Sequence, residues 1–524
     1  MIFSIGHPLR IARAGFVLSR AGLFRDVDIA ALPPAARLPF GLAKSLAKRA
    51  TGPDLLPAAI SRLGPSYVKL GQFLATRPDV VGVEVARRLE ALQDHMAPFG
   101  QEEAVKVIEG AFNRKIDEIF IAFGPPVAAA SIAQVHRARV RDKRGERDVA
   151  VKVIRPGIER RFRRDLSDMY YAARIGEHWF PDTKRLKSVE VVDILARTVK
   201  MEMDFRLEAA AASEFAENTE KENDFRVPRV DWDRTEKEVL TAEWIDGISL
   251  SDTEALAASG FDLTDLGRTV IQSFLRHAVR DGFFHADMHQ GNLFVDREGR
   301  LTAVDFGIMG RLGLKERRFL AEIIYGFITR NYQRVAEVHF EAGYVPGYHR
   351  VEDFAQAIRA IGEPIHARTA DEISMARVLT LLFEITALFD MTTRTELVML
   401  QKTMVVVEGV ARRLDPKLDM WSTAEPVVGG WLRENLGPIG RIGDAKRGID
   451  ALAQFAANLP AVLLQTEKII TQIESMSEEG FELSEGVLAK IGEAQARGAR
   501  LGHIALWALV IILGVFLLRF GWHH

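Results

Sequence analysis

Hydrophobic and polar positions change period along the chain, and the changes mark out its elements. From Leu63 the stretch LGPSYVKLGQFLATRPDVV has helical spacing and contains Lys69, Gly71 and Gln72. It predicts an amphipathic helix that stops before Arg77-Pro78, because the residue ahead of a proline is pushed out of the helical region. Around Val127 the spacing becomes strand-like. Residues 128–140 (AAASIAQVHRARV), the turn Asp142 to Gly145, and DVAVKVI (148–154) predict a β-hairpin. Its valines 149, 151 and 153 share one face, which puts Lys152 on the other. A long helical stretch then brings Glu202, Asp204 and Glu208. Asp204 and Glu208, four apart, are expected on one helical face, and Glu202 is not on a face with Asp204. KEVLTAEWIDGISL (237–250) predicts a strand and then a loop, with Glu243 and Trp244 where the two meet. A helix is expected from about Leu263 to Arg280. Leu293–Val295 and Leu301–Val304, separated by Asp-Arg-Glu-Gly, predict a second hairpin. After Gly307 the pattern is mainly helical to about 480, with breaks at Asp415-Pro416 and Gly429-Gly430.

The last apolar run differs in kind. From Leu501 to Leu518 only His503 is ionisable, and a helix of that length spans about 27 Å, close to a bilayer's hydrocarbon thickness. Eleven of the fifteen residues Ile504–Leu518 are Leu, Ile, Val or Phe, which favours insertion by roughly 3 to 7 kcal/mol. A transmembrane helix over 501–522 is therefore expected, flanked by Arg497, Arg500, Arg519 and Trp522.

With 524 residues the chain has room for about three domains. A formal net charge of -2 points to no nucleic-acid partner. The absence of cysteine excludes disulfides, thiolate catalysis and Cys-ligated metals. Arg10, Arg13 and Arg20 interrupt the apolar residues near the start, so no secretory signal is expected there. Residues 1–50 carry eight basic side chains against Asp26 and Asp28. They suggest a membrane-facing surface, or else the solvated face of a helix packed on its own domain.

The candidate chemistry lies in residues 284–307, FHADMHQGNLFVDREGRLTAVDFG. Folding Leu293–Val304 into a hairpin brings Asp287, Asn292 and Asp305 to one edge. These are hard oxygen groups suited to phosphoryl transfer: Asp287 as base or orienting carboxylate, Asn292 and Asp305 as magnesium ligands. Asp-x4-Asn followed by Asp-Phe-Gly is the spacing of kinase catalytic and metal loops. His285 and His289 leave a transition-metal site as an alternative, which the oxygen set disfavours. Lys152, on a Val-Ala-Val-Lys strand, resembles the kinase lysine that reaches the nucleotide phosphates, with Glu208 as its candidate partner. Ala128, Ala129, Ala130 and Ser131 stand where a protein kinase has its glycine-rich loop, so positive φ is costly there. With Val135, Glu243 and Trp244 they are the candidate nucleotide-binding residues. No Ala-Pro-Glu follows Asp305-Phe306-Gly307, and no room is left for a long activation segment.

Together these residues resemble the UbiB family of atypical kinase-like proteins, associated with ubiquinone biosynthesis. The resemblance runs from about Leu63 to Pro416 and rests on Lys69-x-Gly-Gln72, AAASIAQVH, Glu202-Met203-Asp204 and HADMHQGN, where Met288 and Gln290 replace prolines of the commoner form. It implies an α+β, protein-kinase-like two-lobed fold. The expected divisions are an N-terminal helical extension (1–120), a small lobe (121–250), a mainly helical large lobe (251–420), a helical linker (421–500) and the transmembrane helix (501–522). It further implies ATP and Mg2+ as cofactors, and a regulatory set of Lys69, Gln72, Glu202 and Asp204, in which the lysine lies over the nucleotide site and faces the two acids. Implied partners are isoprenoid quinone precursors or other membrane lipids and other ubiquinone-biosynthesis proteins, at the cytoplasmic face of a bacterial inner membrane. Two alternatives stand beside a membrane-anchored kinase or ATPase: a phosphotransferase of aminoglycoside or choline kinase type, and a nucleotide-gated lipid-binding scaffold without essential chemistry.

Overall fold

The computed structural model describes residues 6–23, 55–75, 83–89, 92, 96–143, 145–179, 187–366 and 395–436, with scattered positions between 37 and 45, at 81 and between 381 and 391. The expected transmembrane helix and the expected linker beyond residue 436 lie outside the described residues. Among the described residues no helix is long and apolar enough to cross a membrane. The chain divides into two compact units, one from residues 1–59, 170–181 and 435–524, the other from 60–169 and 182–434. In the first, α1 (Gly6–Arg20) stacks His7 on Tyr171, ring centroids 5.7 Å apart. That end of α1 thus packs within its own unit.

The elements that follow begin with α2 (Leu55–Leu63), α3 (Pro65–Ala75), α4 (Val83–Leu89), α5 (Gln101–Phe112) and α6 (Ile116–Ile119). Next come β1 (Ala122–Ala129), β2 (Ala133–Asp142), β3 (Gly145–Ile154), α7 (Ile158–Trp179), α8 (Ser188–Glu202), α9 (Phe205–Thr219), β4 (Phe225–Arg226) and β5 (Val239–Glu243). Strands β1-β2-β3-β5 form one antiparallel sheet in that order. Val149, Val151 and Val153 are fully buried and join Ala104 and Ile108 of α5 in one core, which leaves Lys152 on the opposite face as the alternation requires. The first hairpin thus forms as expected. β1 begins earlier than the change of period, despite Gly124-Pro125-Pro126. It is the edge strand, where a missing N–H costs no ladder bond, and its pairing shifts register around Pro126.

The chain then continues through β6 (Gly247–Ser249), α10 (Thr253–Ala258), α11 (Leu263–Leu275), β7 (Phe283–His285), β8 (Leu293–Asp296), β9 (Leu301–Ala303) and β10 (Met309–Arg311). Helices α12 (Leu314–Ile328), α13 (Tyr332–Glu341), α14 (Val351–His366), α15 (Thr395–Leu414) and α16 (Met420–Leu436) complete it. Here the sheets are small: β4-β9-β8-β6 and the pair β7-β10. The loop expected after β5 is only three residues before β6 pairs with β8. Gly247 permits this approach, since a Cβ there would stand 2.5 Å from the Val295 carbonyl oxygen. The helix expected to Arg280 is α-helical to Leu275 and closes in a π turn, Arg276–Asp281. That wider turn brings Arg276, His277 and Arg280 all onto Glu222, at 3.1, 3.3 and 2.6 Å. The cluster sets the start of β7, which leads into the candidate site.

Gly247→Ala should cost on the order of 1–3 kcal/mol, because the clash is with main chain that cannot move alone. The urea midpoint of unfolding reads this loss. A variant as stable as the parent would show that β6 and β8 part freely.

Candidate functional site

Three elements meet at one ammonium. Lys152, in the middle of β3 between Val135 and Leu240 on the neighbouring strands, donates to Glu208 Oε1 and Oε2 at 2.8 and 3.0 Å and to Asp305 Oδ1 at 3.0 Å. Glu208, on α9, is buried, whereas the Asp305 side chain keeps 47% of its surface accessible and so stays open to a further ligand. Burial makes loss of the Lys152 charge easier, but the two carboxylates outweigh it and hold the pKa above the ordinary lysine value. For Glu208 burial dominates, and its pKa is pushed up to about 7 against the pull of Lys152. Desolvation raises Asp305 too, yet Lys152, with Lys69 behind it, brings it below the usual carboxylate range. Asp305 also has a positive φ of 63°, a strained conformation for a non-glycine residue.

The predicted hairpin brings Asn292 and Asp305 to the same end as Asp287. Asn292 Nδ2 donates to the Asp287 carbonyl at 3.1 Å, and the Val304 N–H donates to the Asn292 carbonyl at 2.9 Å. The amide nitrogen of Asn292 is therefore spent on the loop, which frees its oxygen for a cation. His285 is fully buried and both ring nitrogens are used: Nδ1 accepts from the Asp287 N–H at 3.1 Å and Nε2 donates to the Val304 carbonyl at 3.1 Å. Burial lowers its pKa, so it is a neutral brace for the loop and has no lone pair for a metal. His289 Nδ1 accepts from the Gly291 N–H at 3.0 Å. Among the described residues no group of three His, Cys, Asp or Glu is placed to hold a metal, which removes support from the transition-metal alternative. The oxygen pair of Asn292 and Asp305 suits magnesium, which takes few protein ligands and completes its shell with water and phosphate.

Lys69 on α3 pairs with Glu202 Oε2 at 2.9 Å, both side chains about nine-tenths buried. Its charge acts through space on Asp305, as the smallest of the influences that lower that carboxyl. The helix is anchored by Ser66, which donates to Asp165 Oδ2 at 2.9 Å, and the end of α2 just ahead of it by Arg161, which donates to the Leu63 carbonyl at 3.0 Å. Gly71 leaves room for the Leu92 side chain, whose Cδ1 would have to shift for a Cβ that would stand 2.3 Å from it. Gln72 is half-buried on the same helix. The expected common face of Asp204 and Glu208 does not form. The helix breaks at Met203-Asp204, Asp204 becomes the N-cap of α9, and its carboxylate is taken by Arg206 at 2.7 and 2.9 Å. Of the two acids only Glu202 meets Lys69.

Ala128 and Ala129 end β1 opposite Val135 and Gln134, and the Ala130 N–H donates to the Ala133 carbonyl at 2.8 Å to close a tight tip with Ser131 buried in it. None of the three alanines has a positive φ. Glu243 and Trp244 stand at the end of β5. The Glu243 carboxylate binds Arg226, the Trp244 N–H donates to the Asp148 carbonyl at 3.3 Å, and the indole lies 4.9 Å beneath Arg137. Their side chains and these N–H groups thus serve the crossover.

Other residues that brace these segments escaped the pattern. Gln134 and His136 are buried on β2, with the amide nitrogen of Gln134 2.9 Å from His136 Nε2 and His136 Nδ1 donating to the Gly124 carbonyl at 2.9 Å. Polar residues on the buried phase of a strand were the available signal. On α15, Thr403 donates to the Ala286 carbonyl at 2.9 Å and Arg413 to Gln290 Oε1 at 2.7 Å. These hold the catalytic loop from a helix more than a hundred residues away.

Comparison with known proteins agrees with this arrangement. Residues 91–339 match the ABC1 atypical kinase-like domain, and residues 358–419 match the UbiB helical domain. A protein of Marinobacter nauticus named "Probable protein kinase UbiB" is 37% identical over 511 residues, 96% of this chain and 92% of its own length. The chain belongs to the UbiB family of atypical kinase-like proteins. A second member so named, from Pseudomonas entomophila, is 36% identical over 478 residues, 88% of each chain. Among solved structures, the complex of Rv3197 with erythromycin from Mycobacterium tuberculosis covers 76% of this chain and 99% of its own, at 25% identity and a TM-score of 0.49. The match to the ABC1 domain accords with the kinase-like α+β fold, and α15 lies inside the match to the UbiB helical domain.

A carboxyl whose pKa is raised on folding contributes stability that is complete below its unfolded value, 4.5, and lost as pH rises through about 7. Glu208→Gln should therefore flatten the parent's decline in stability across that window. Urea midpoints at several pH values check it, and an unchanged slope would assign the decline to another group.

Proposed function

We propose that this chain is a membrane-anchored atypical kinase or ATPase that uses ATP and magnesium to support ubiquinone biosynthesis, acting on or extracting isoprenoid lipid intermediates. The observation that carries the reading is the single ammonium of Lys152 held within 3.0 Å of both Glu208 and Asp305. In this reading Lys152 binds the nucleotide phosphates and Glu208 keeps it in place. Asn292 and Asp305 hold the metal, which when bound supplies positive charge against the phosphate oxygens. Asp287 orients the attacking hydroxyl or water and accepts its proton at a carboxylate oxygen. Ala128 to Ser131 and Val135 cover the nucleotide, with Glu243 and Trp244 at its far edge.

The buried pair Lys69–Glu202, whose lysine on α3 acts by its charge on Asp305, supports a small acceptor or water over a protein substrate. The same helix speaks against the aminoglycoside and choline kinase type, which lacks this element. Lys69, Gln72 and Glu202 are then regulatory positions, and Asp204 acts through the cap it gives α9. The quinone link rests on family membership and on the apolar run 501–522, which suits a chain whose substrates reside in the bilayer. Arg497 and Arg500, flanking the start of that run, support the cytoplasmic side of the inner membrane for the folded part.

Asp305→Asn should abolish magnesium-dependent ATP turnover by the purified protein while leaving its circular dichroism unchanged, and undiminished turnover would sink the reading. Removing the Asp287 carboxylate should cost on the order of a hundredfold. A loss under about threefold would leave Asp287 only a structural part in the loop.

Deleting residues 501–524 should release the folded part from membranes that resist high-salt and carbonate washing. Continued retention would place the anchor elsewhere in the chain.

A further inference from the structure

The hairpin tip that replaces a glycine loop is tied down from outside by residues for which the proposed chemistry has no use. Arg155 directly follows β3, and its guanidinium donates to the carbonyls of Ala97 and Ala130, each at 3.1 Å. It also lies 5.2 Å over the Phe99 ring, while its own backbone N–H donates to the Ile132 carbonyl at 2.8 Å. One residue therefore joins both sides of the tip to the segment 96–99 that runs before α5. That segment is gripped again by Gln134, which is 1% exposed. Its side chain accepts from the Phe99 N–H at 2.9 Å and donates to the Phe99 carbonyl at 3.2 Å.

Loops that cover a nucleotide commonly open and close around it. A tip held in this way can move only by breaking two hydrogen bonds and a cation–π contact together. Both bonds leave one nitrogen, Nη2, whose place is set by a planar guanidinium lying over the Phe99 ring, and lysine has no such plane to seat its ammonium there. We propose that Arg155 is a positioning residue that clamps the alanine hairpin at one height over the nucleotide site, so that ATP meets a fixed lid and no closing one. This rests on reading the site as a nucleotide site. A clamped lid is ordered before binding, and a released one must be ordered by the ligand at the expense of affinity.

The test uses the full chain with Arg155→Lys and Arg155→Gln, and Phe99→Leu as a milder variant that keeps the backbone contacts of Gln134. Hydrogen exchange of residues 128–132 is measured beside ATP titration and steady-state turnover. Both Arg155 variants are expected to exchange at least about tenfold faster and to raise Kd and KM for ATP at least about threefold, with kcat within about twofold. Phe99→Leu should give the same pattern at smaller size. Parent-like exchange in Arg155→Gln overturns the proposal, and so does faster exchange with unchanged affinity in a parent that binds ATP. A parent that binds no ATP defeats the nucleotide reading instead, and exchange alone then decides whether Arg155 is a clamp.

Discussion

An ammonium divided between two carboxylates is the constraint on which the rest of the structure depends. Lys152 comes from a strand, Glu208 from a helix and Asp305 from the end of a distant hairpin, so three elements must converge on one atom. One cation cannot neutralise two anions. The buried partner, Glu208, absorbs the excess through a raised pKa, and the accessible one, Asp305, keeps its charge. An accessible, ionised carboxylate beside an amide oxygen whose nitrogen is already engaged favours the arrival of a hard cation. The imbalance that costs stability is thus the feature that makes the place chemically useful.

Around it the fold spends buried polar groups on position. Asp204 ends one helix and starts the next, which points α9 so that Glu208 reaches Lys152. Glu222 collects Arg276, His277 and Arg280 from a single π turn and so sets the entry to β7. Its own pKa falls to about 2: burial resists the charge, and His277 and the arginines overcome that resistance. Such a cluster loses most when one member is removed, because the remaining charges stay buried without partners.

What the sequence revealed follows from how local each signal is. Both hairpins and the outward face of Lys152 were legible because alternation and turn residues act within a few positions. Asp287, Asn292 and Asp305 were legible because the hairpin between them brings its own ends together. Asp204 was misplaced because spacing of four presumes an unbroken helix. The break carries no glycine or proline, although an aspartate ahead of Phe205 was a cap signal. The start of β1 was hidden by prolines that only an edge strand tolerates. Gln134, Arg155 and Thr403 act on main-chain groups, and a backbone carbonyl has no identity in sequence. Such contacts become visible only once the chain is folded.

Thr403 and Arg413 also bear on how a kinase-like loop stays placed when so little chain follows Asp305-Phe306-Gly307. Here the segment goes straight into β10, which pairs with β7, and then into α12. Nothing long enough to fold back over the loop lies between. The loop is instead held on two sides: β10 pairs with His285 through Met309, and α15 takes the Ala286 carbonyl with Thr403 and Gln290 with Arg413. Thr403 is 1% exposed, so its bond to Ala286 is protected from competing water. Support of this kind comes from packed helices and cannot be released by modifying one exposed segment. The helical domain therefore holds the loop from a part of the chain remote in sequence, independently of the short segment that follows Gly307.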